Sequence, residues 1–480
     1  MRIMGSARVF ALAVMSVSVA ALSVAMATPG SALAVTCANL NGTGSSLQKV
    51  QQETWTATAS AAAKLAGECA AKITVLYAAE GSGAGLTEFG MEAGFELTPG
   101  LGIGGELDGF IGTDDPPTAK QQEEVKLVVA KHAGTEADVI APLAAPIAMI
   151  MHLPTGCELE VGAEPEVTQA ALEGFWRHSG LTWKEMLESG KALTNLKGIT
   201  CEEKVVAEKN IDEVRSDGSG TSYAFKQWMC QIAGAGVNEW GVAAGKCEVE
   251  NGGGAKEYIN DSKNWPETQV RKGLTCESEV NPCSELHGAK VANEKGSGEV
   301  AAVSATANSI GYANTADAVA GGFEAGGKKL SSTFWVKVEN FETAGEKFSD
   351  PLKEEPSGLL VGNCPTANPL TAAQETEAKK NEWGTVHLAQ GKKAVLGYPA
   401  CTLTYDVGWV SYLTAELTKG AAPLYYLTAA LAEEIGNSAK AYFKYMLSAT
   451  EGQNEIQDDY SPAPAKVITI SRENAALITP

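Results

Sequence analysis

Three observations predict an α/β fold. Apolar, strand-like runs alternate with stretches of helical character along most of the chain. Three short loops of Gly with Ser or Thr each stand just before a helical stretch. One apolar run, from Val139 to Met151, carries Pro142 and Pro146 and is too short to span a membrane, so it reads as a buried strand with its flanks. A chain of 480 residues has room for about two or three domains.

The first stretch stands outside that fold. Arg2 and Arg8 lead into an apolar run that Pro29 and Gly30 break, and Ala32-Leu33-Ala34 has the small residues of a signal-peptide cleavage site. Residues 1–34 are therefore expected to be removed on export to a periplasm or cell surface. They hold two Arg and no acid, so cleavage takes the formal charge from -21 to -23. All ten cysteines (Cys37, Cys69, Cys157, Cys201, Cys230, Cys247, Cys276, Cys283, Cys364, Cys401) follow the cut. An even number in an exported chain favours disulfides. Cys276 and Cys283 are near enough in sequence for a local bridge. The chain has no CxxC pair, which argues against a zinc ribbon or a thioredoxin-type site. Thr36 before Cys37 fits a lipidation signal poorly.

Further along, Ile73-Thr74-Val75-Leu76-Tyr77, Lys204-Val205-Val206 and Ala394-Val395-Leu396 read as strands. Residues 47–65, 222–231 and 438–447 read as helices. Residues 232–300 and 339–380 are loop-rich and look like insertions on a regular scaffold.

The glycine loops carry the chemistry. They are Gly42-Thr43-Gly44-Ser45-Ser46, Gly81-Ser82-Gly83-Ala84-Gly85 and Asp217-Gly218-Ser219-Gly220-Thr221. A helix start leaves N–H groups unpaired and carries partial positive charge. Glycines admit a ligand close to the backbone, and hydroxyls cap the helix or donate to the ligand. Three converging loops would make an uncharged anion cradle; as three separate loops they are ordinary caps and turns. Phe110-Ile111-Gly112-Thr113 reads as a strand ending in the acidic turn Asp114-Asp115-Pro116. Arg215 stands two residues before Asp217. It can grip an oxyanion bidentately, pair with Asp217, or do both.

The acidic balance excludes partners rather than the fold. Lys plus Arg total 37 against 58 Asp plus Glu, which argues against nucleic acid and against anionic membranes. Taken alone it also argues against an anionic ligand.

These motifs, in this order, resemble the phosphate-binding proteins of high-affinity phosphate ABC transporters, the PstS family. The resemblance rests on Asn41 to Ser46, Gly81 to Gly85, Phe110 to Pro116, the run 139–153 with Pro154, and above all Arg215-Ser216-Asp217-Gly218-Ser219-Gly220-Thr221-Ser222. Asn264-Trp265-Pro266, Gly296-Ser297-Gly298, Ser309-Ile310-Gly311-Tyr312 and Tyr398-Pro399 extend it. It implies a type II periplasmic-binding-protein fold of two α/β lobes with a double-crossing hinge. Lobe I would comprise 35–145 and 400–480, and lobe II 146–399 with the insertions. It implies a monomeric, non-enzymatic carrier that needs no cofactor, takes inorganic phosphate and passes it to the permease subunits of an ABC transporter. Ser46, Leu47, Ser82 and Asp114 would meet phosphate from lobe I. Arg215, Ser219, Gly220 and Thr221 would meet it from lobe II, with Asp217 orienting Arg215. Leu47 stands where the family commonly has Phe, and Ser46 where Thr is common; both changes keep the donors.

Phosphate keeps a proton near neutral pH and sulfate does not. An ionised Asp114 would accept a bond from P–OH and repel sulfate. Two other classes compete. A hydrolase would use Ser82 or Ser219 as nucleophile, but neither sits in a GxSxG elbow, and none of His132, His152, His178, His287 and His387 lies in a catalytic motif. An interaction protein on the same scaffold would use the insertions. Gly100 to Gly105 matches GxGxxG by letter but lacks a clear following helix, and reads as a loop.

Overall fold

The computed structural model describes residues 35–61, 65, 68–91, 109–119, 121–123, 136–160, 162, 164–169, 171–172, 183, 198–202, 204, 211–232, 242–243, 246–250, 256–258, 292–325, 332–341, 347–388, 396–412, 418–419, 422–423 and 429–479. The strands that position the site are β1 (Leu40–Gly44), β2 (Val75–Ala78), β3 (Phe110–Thr113), β4 (Ala137–His152), β5 (Ile211–Asp212), β6 (Val214–Arg215), β7 (Ser309–Asn314), β8 (Thr333–Trp335), β9 (Cys401–Trp409) and β10 (Ser461–Pro462). The helices are α1 (Lys49–Ala61), α2 (Ser82–Glu88), α3 (Gly220–Ile232), α4 (Lys295–Ala305), α5 (Thr315–Ala320), α6 (Ala429–Leu447) and α7 (Ala465–Ala475).

A mixed sheet runs in the order β2-β1-β3-β9-β4-β7-β5, and β8 and β10 also pair with β4. β1 lies parallel to β2 and β3, β9 is antiparallel to β3 and β4, and β7 is antiparallel to β4 and parallel to β5. β4 is the axis. It is the proline-bearing apolar run expected as a buried strand, and every residue from Ala137 to Met151 is buried. Its first part pairs with β9, from Ala137 opposite Trp409 to Pro146 opposite Cys401. Its last part pairs with β7, from Ile147 opposite Asn314 to His152 opposite Ser309. One strand thus serves two sets of neighbours, and the exchange falls between Pro146 and Ile147. Proline interrupts a ladder because it lacks an N–H, so it suits a position where partners change.

Strand Ile73 to Tyr77 is realised as β2, and the three expected helices as α1, α3 and α6. α6 begins nine residues earlier than the sequence reading. Two strand expectations fail where they can be followed. Lys204 lies in a turn, and Leu396 is a bend residue 73% exposed; the neighbouring Val205, Val206, Ala394 and Val395 lie outside the described residues. β9 was not read from the sequence at all. The core includes Trp55, Phe110, Trp228, Tyr312, Trp383 and Tyr442.

Disulfides join Cys37 to Cys69, Cys157 to Cys201 and Cys364 to Cys401. The last ties the start of β9 to a preceding loop. Cys276, Cys283 and the Gly100–Gly105 stretch lie outside the described residues. No described helix is long and apolar enough to cross a membrane.

Candidate functional site

The three glycine loops converge. The first ends β1 and turns into α1. Gly44 has φ 127, and a Cβ there would lie 2.0 Å from the Gly112 carbonyl oxygen, so only glycine fits. The turn is pinned by Ser45 N–H donating to Gly112 O at 2.8 Å. The second loop follows β2, and Gly81 N–H donates to Gly44 O at 2.7 Å. The third loop follows β6 and opens α3. It meets the second across the sheet, where Gly83 N–H donates to Gly218 O at 2.8 Å.

Asp114 stands at the end of β3 in the middle of this convergence, 1% exposed. Ser45 Oγ donates to its carboxylate, 2.6 Å from Oδ1 and 2.7 Å from Oδ2. Ser82 Oγ lies 3.3 Å from Oδ2 and accepts the Asp114 N–H at 3.2 Å. Burial pushes the carboxyl up to about 7; the Ser45 and Ser82 hydroxyls and the Arg215 charge pull the other way.

Arg215 enters from the end of β6 and is 2% exposed. Its Nε donates to Asp217 Oδ1 at 2.6 Å, and its Nη2 donates to Asp217 Oδ2. Nη2 also reaches Ser46 Oγ at 3.4 Å, which links the third loop to the first. These bonds use three of the five guanidinium donors. Asp217 Oδ1 takes a further bond from Lys295 N–H at 3.1 Å. Burial pushes the Asp217 carboxyl up, but the bonded Arg215 outweighs it and holds the group below its usual value. Glu299 on α4 is fully buried near Arg215 and accepts the Tyr312 N–H at 3.0 Å; burial drives its carboxyl well up.

Gly220 closes the site from α3. A Cβ on it would lie 2.6 Å from Asp114 Cβ, 2.6 Å from Ser82 Oγ and 2.8 Å from Asp114 Cα. Ser219 Oγ accepts the Ser222 N–H at 3.2 Å and so acts as a cap, with its own proton still available. Thr221 is buried in the first turn of α3. Leu47 N–H lies 3.1 Å from Ser45 Oγ.

The structure therefore joins Ser46, Arg215 and Asp217 in one set of contacts and Ser82, Asp114 and Gly220 in another, on loops that hydrogen-bond to one another, with Leu47, Ser219 and Thr221 one residue away along the chain. The residue missed in sequence is Ser45. The resemblance assigns its neighbour Ser46 alone, and no residue pattern within the Gly-Ser loop marks Ser45. A second buried layer lies behind the first loop. Gln48 Nε2 donates to Tyr405 O at 2.9 Å, and Gln52 Nε2 donates to Gln48 Oε1 and to Asp406 Oδ1, each at 2.9 Å. Tyr77 OH donates to Ser45 O at 2.9 Å. No cluster of metal-ligating side chains occurs among the described residues.

Solved structures of similar architecture complete the assignment. The chain is similar to a high-affinity periplasmic phosphate-binding protein, PfluDING, solved with phosphate bound (14% identity, 90% of this chain and 92% of that one, TM-score 0.52). It is similar to an ancestral soluble variant of the human phosphate-binding protein at the same identity, coverage and score. It is also similar to a phosphate-binding protein from Stenotrophomonas maltophilia (14% identity, 90% and 93% covered, TM-score 0.51). The fold is the type II periplasmic-binding-protein fold. No family model and no curated protein matches the chain.

Proposed function

We propose that this chain is an extracytoplasmic binding protein that captures inorganic phosphate between two lobes and delivers it to an ABC transporter. One observation carries the reading: the three glycine loops hydrogen-bond to one another beside buried Asp114, with Arg215 bonded to Ser46 and Gly220 packed on Asp114 and Ser82. That place offers hydroxyl and guanidinium donors and the buried Asp114 carboxylate at its centre, the combination suited to an oxyanion that still carries a proton. The solved neighbours of the same fold are binding proteins for phosphate, which supports the ligand.

Ser46, Leu47, Ser82, Asp114, Arg215, Ser219, Gly220 and Thr221 form the proposed phosphate shell, and Asp217 holds Arg215 in place. The lobes are 35–145 with 400–480, and 146–399; the change of partners on β4 at Pro146 and Ile147 supports that division. A micromolar complex needs about −8 kcal/mol. Charge-assisted bonds of about 1.5–3 kcal/mol each supply that from a few contacts after the cost of closure. The carrier is exported, works as a monomer and turns over no substrate. Three disulfides fit an oxidising compartment.

Calorimetry of the purified, phosphate-stripped protein tests the proposal. Phosphate is expected to bind at micromolar concentration or tighter, and at least about tenfold more tightly than sulfate. Absence of phosphate binding overturns the reading and leaves an interaction protein on the same scaffold.

A further inference from the structure

We propose that Ser45 is a specificity-determining residue for the anion, acting through Asp114. The inference rests on the reading of this place as a phosphate site. Ser45 is fully buried. Its hydroxyl donates to Asp114 at 2.6 and 2.7 Å, nearer than any other described donor to that carboxylate. The same Oγ accepts the N–H groups of Leu47 at 3.1 Å and Gln48 at 3.4 Å. Those N–H groups open α1, a helix of 13 residues. A hydroxyl that accepts from amide N–H groups is polarised and donates more strongly. Ser45 therefore relays the positive end of α1 onto the carboxylate, orients it, and favours its ionised form.

The other groups around Asp114 do not replace this. Arg215 favours the ionised form and Asp317 on α5 disfavours it, while Asp406 on β9 is itself pushed up by burial and by Asp114. Tyr77, Tyr405 and Tyr460 face it with their phenols held neutral by burial. Ser82 is a second donor, but at 3.3 Å.

The consequence lies in ligand choice. An ionised Asp114 accepts from P–OH and refuses sulfate. A protonated Asp114 donates to either anion, so sulfate enters once the carboxyl is protonated. With burial pushing Asp114 up to about 7, that change falls near neutral pH, and Ser45 sets how far down the refusal persists.

The experiment is sulfate and phosphate affinity across pH in the full chain. Wild-type sulfate binding is expected to strengthen as pH falls through a midpoint, with phosphate binding far flatter. Ser45→Ala moves the sulfate midpoint up by about one to two pH units. Ser45→Thr, which keeps the hydroxyl, holds the wild-type midpoint, which loss of packing alone does not explain. Asp114→Asn abolishes the pH step. A Ser45→Ala protein that binds phosphate with the wild-type sulfate midpoint overturns the proposal. Ser45→Cys, a weak donor of similar shape, moves the midpoint in the same direction if the alanine variant does not fold, and no movement there overturns it equally. A wild-type protein that binds no phosphate refutes the underlying site instead.

Discussion

Gly220→Ala puts one methyl group where the start of α3 meets the end of β3. In the structure its carbon would stand 2.6 Å from Asp114 Cβ and 2.8 Å from Asp114 Cα. Carbon atoms rest at about 3.5–4.0 Å, so the shortfall is about 1 Å. Ser82 Oγ, at 2.6 Å, can rotate away. Asp114 Cα cannot, because it is backbone at the end of β3. Gly220 and Asp114 must then part by about that distance, and overpacking of this size costs about 1–3 kcal/mol. Phosphate affinity is expected to fall about fivefold to 150-fold. Helix propensity acts in the opposite direction. Gly220 opens α3, and alanine in a helix is favoured over glycine by up to about 1 kcal/mol. The unliganded protein should therefore unfold at the same temperature or higher. Calorimetric titration with phosphate and thermal unfolding without it read the two effects separately. Undiminished phosphate affinity in the variant would refute closure of α3 onto Asp114. A large drop in unliganded stability would show that the contact belongs to folding rather than to capture.

Three further outcomes are expected. Asp114→Asn removes the like charge that sulfate would meet and narrows the preference for phosphate over sulfate, by about tenfold or more in competition calorimetry; an unchanged ratio contradicts the role given to Asp114. Replacing Cys364 and Cys401 together by Ala lowers stability to denaturant by about 2–4 kcal/mol while leaving phosphate affinity in place, since the bridge closes a chain loop and touches none of the proposed ligand contacts. Asp114 and Asp138 are both raised by burial to about 7, against about 3.8 when unfolded. The folded state then holds protons that the unfolded state has lost. Their contribution to stability is complete below about pH 4 and is lost as pH rises through about 7. Unliganded protein should melt at higher temperature near pH 5 than near pH 8, and Asp138→Asn should flatten that difference; a slope of opposite sign rejects the assignment.

Much of this was legible because backbone rules leave marks in sequence. Gly44 and Gly81 stand at φ values that favour glycine, so the loops were readable as turns. The pair Arg215 and Asp217 was readable from spacing, since both flank one loop. β4 was readable because a strand buried on both faces must be apolar throughout. β9 escaped for the opposite reason. It buries Thr402, Thr404 and Asp406 among its apolar residues, so its pattern resembles a half-exposed strand or a loop. Lys204 misled because a β-branched pair beside it looks like a strand even where the chain turns. Ser45 escaped because the role of each serine depends on which way a tight turn faces its hydroxyl. One turns to Asp114 and the other to Arg215. Convergence of the loops was itself invisible, being a property of the sheet order and not of any segment.

β4 has a mechanical consequence. Because β4 pairs with β9 over its first part and with β7 over its last, a change of twist between those neighbours is carried as torsion within a single backbone. Twist applied to its first part is expected to reach the far end of that strand, where His152 lies opposite Ser309 and Thr333. A fluorescent probe on that remote edge can therefore report occupancy of the cleft without entering it, which makes the strand a natural transmission shaft for a reagentless anion sensor.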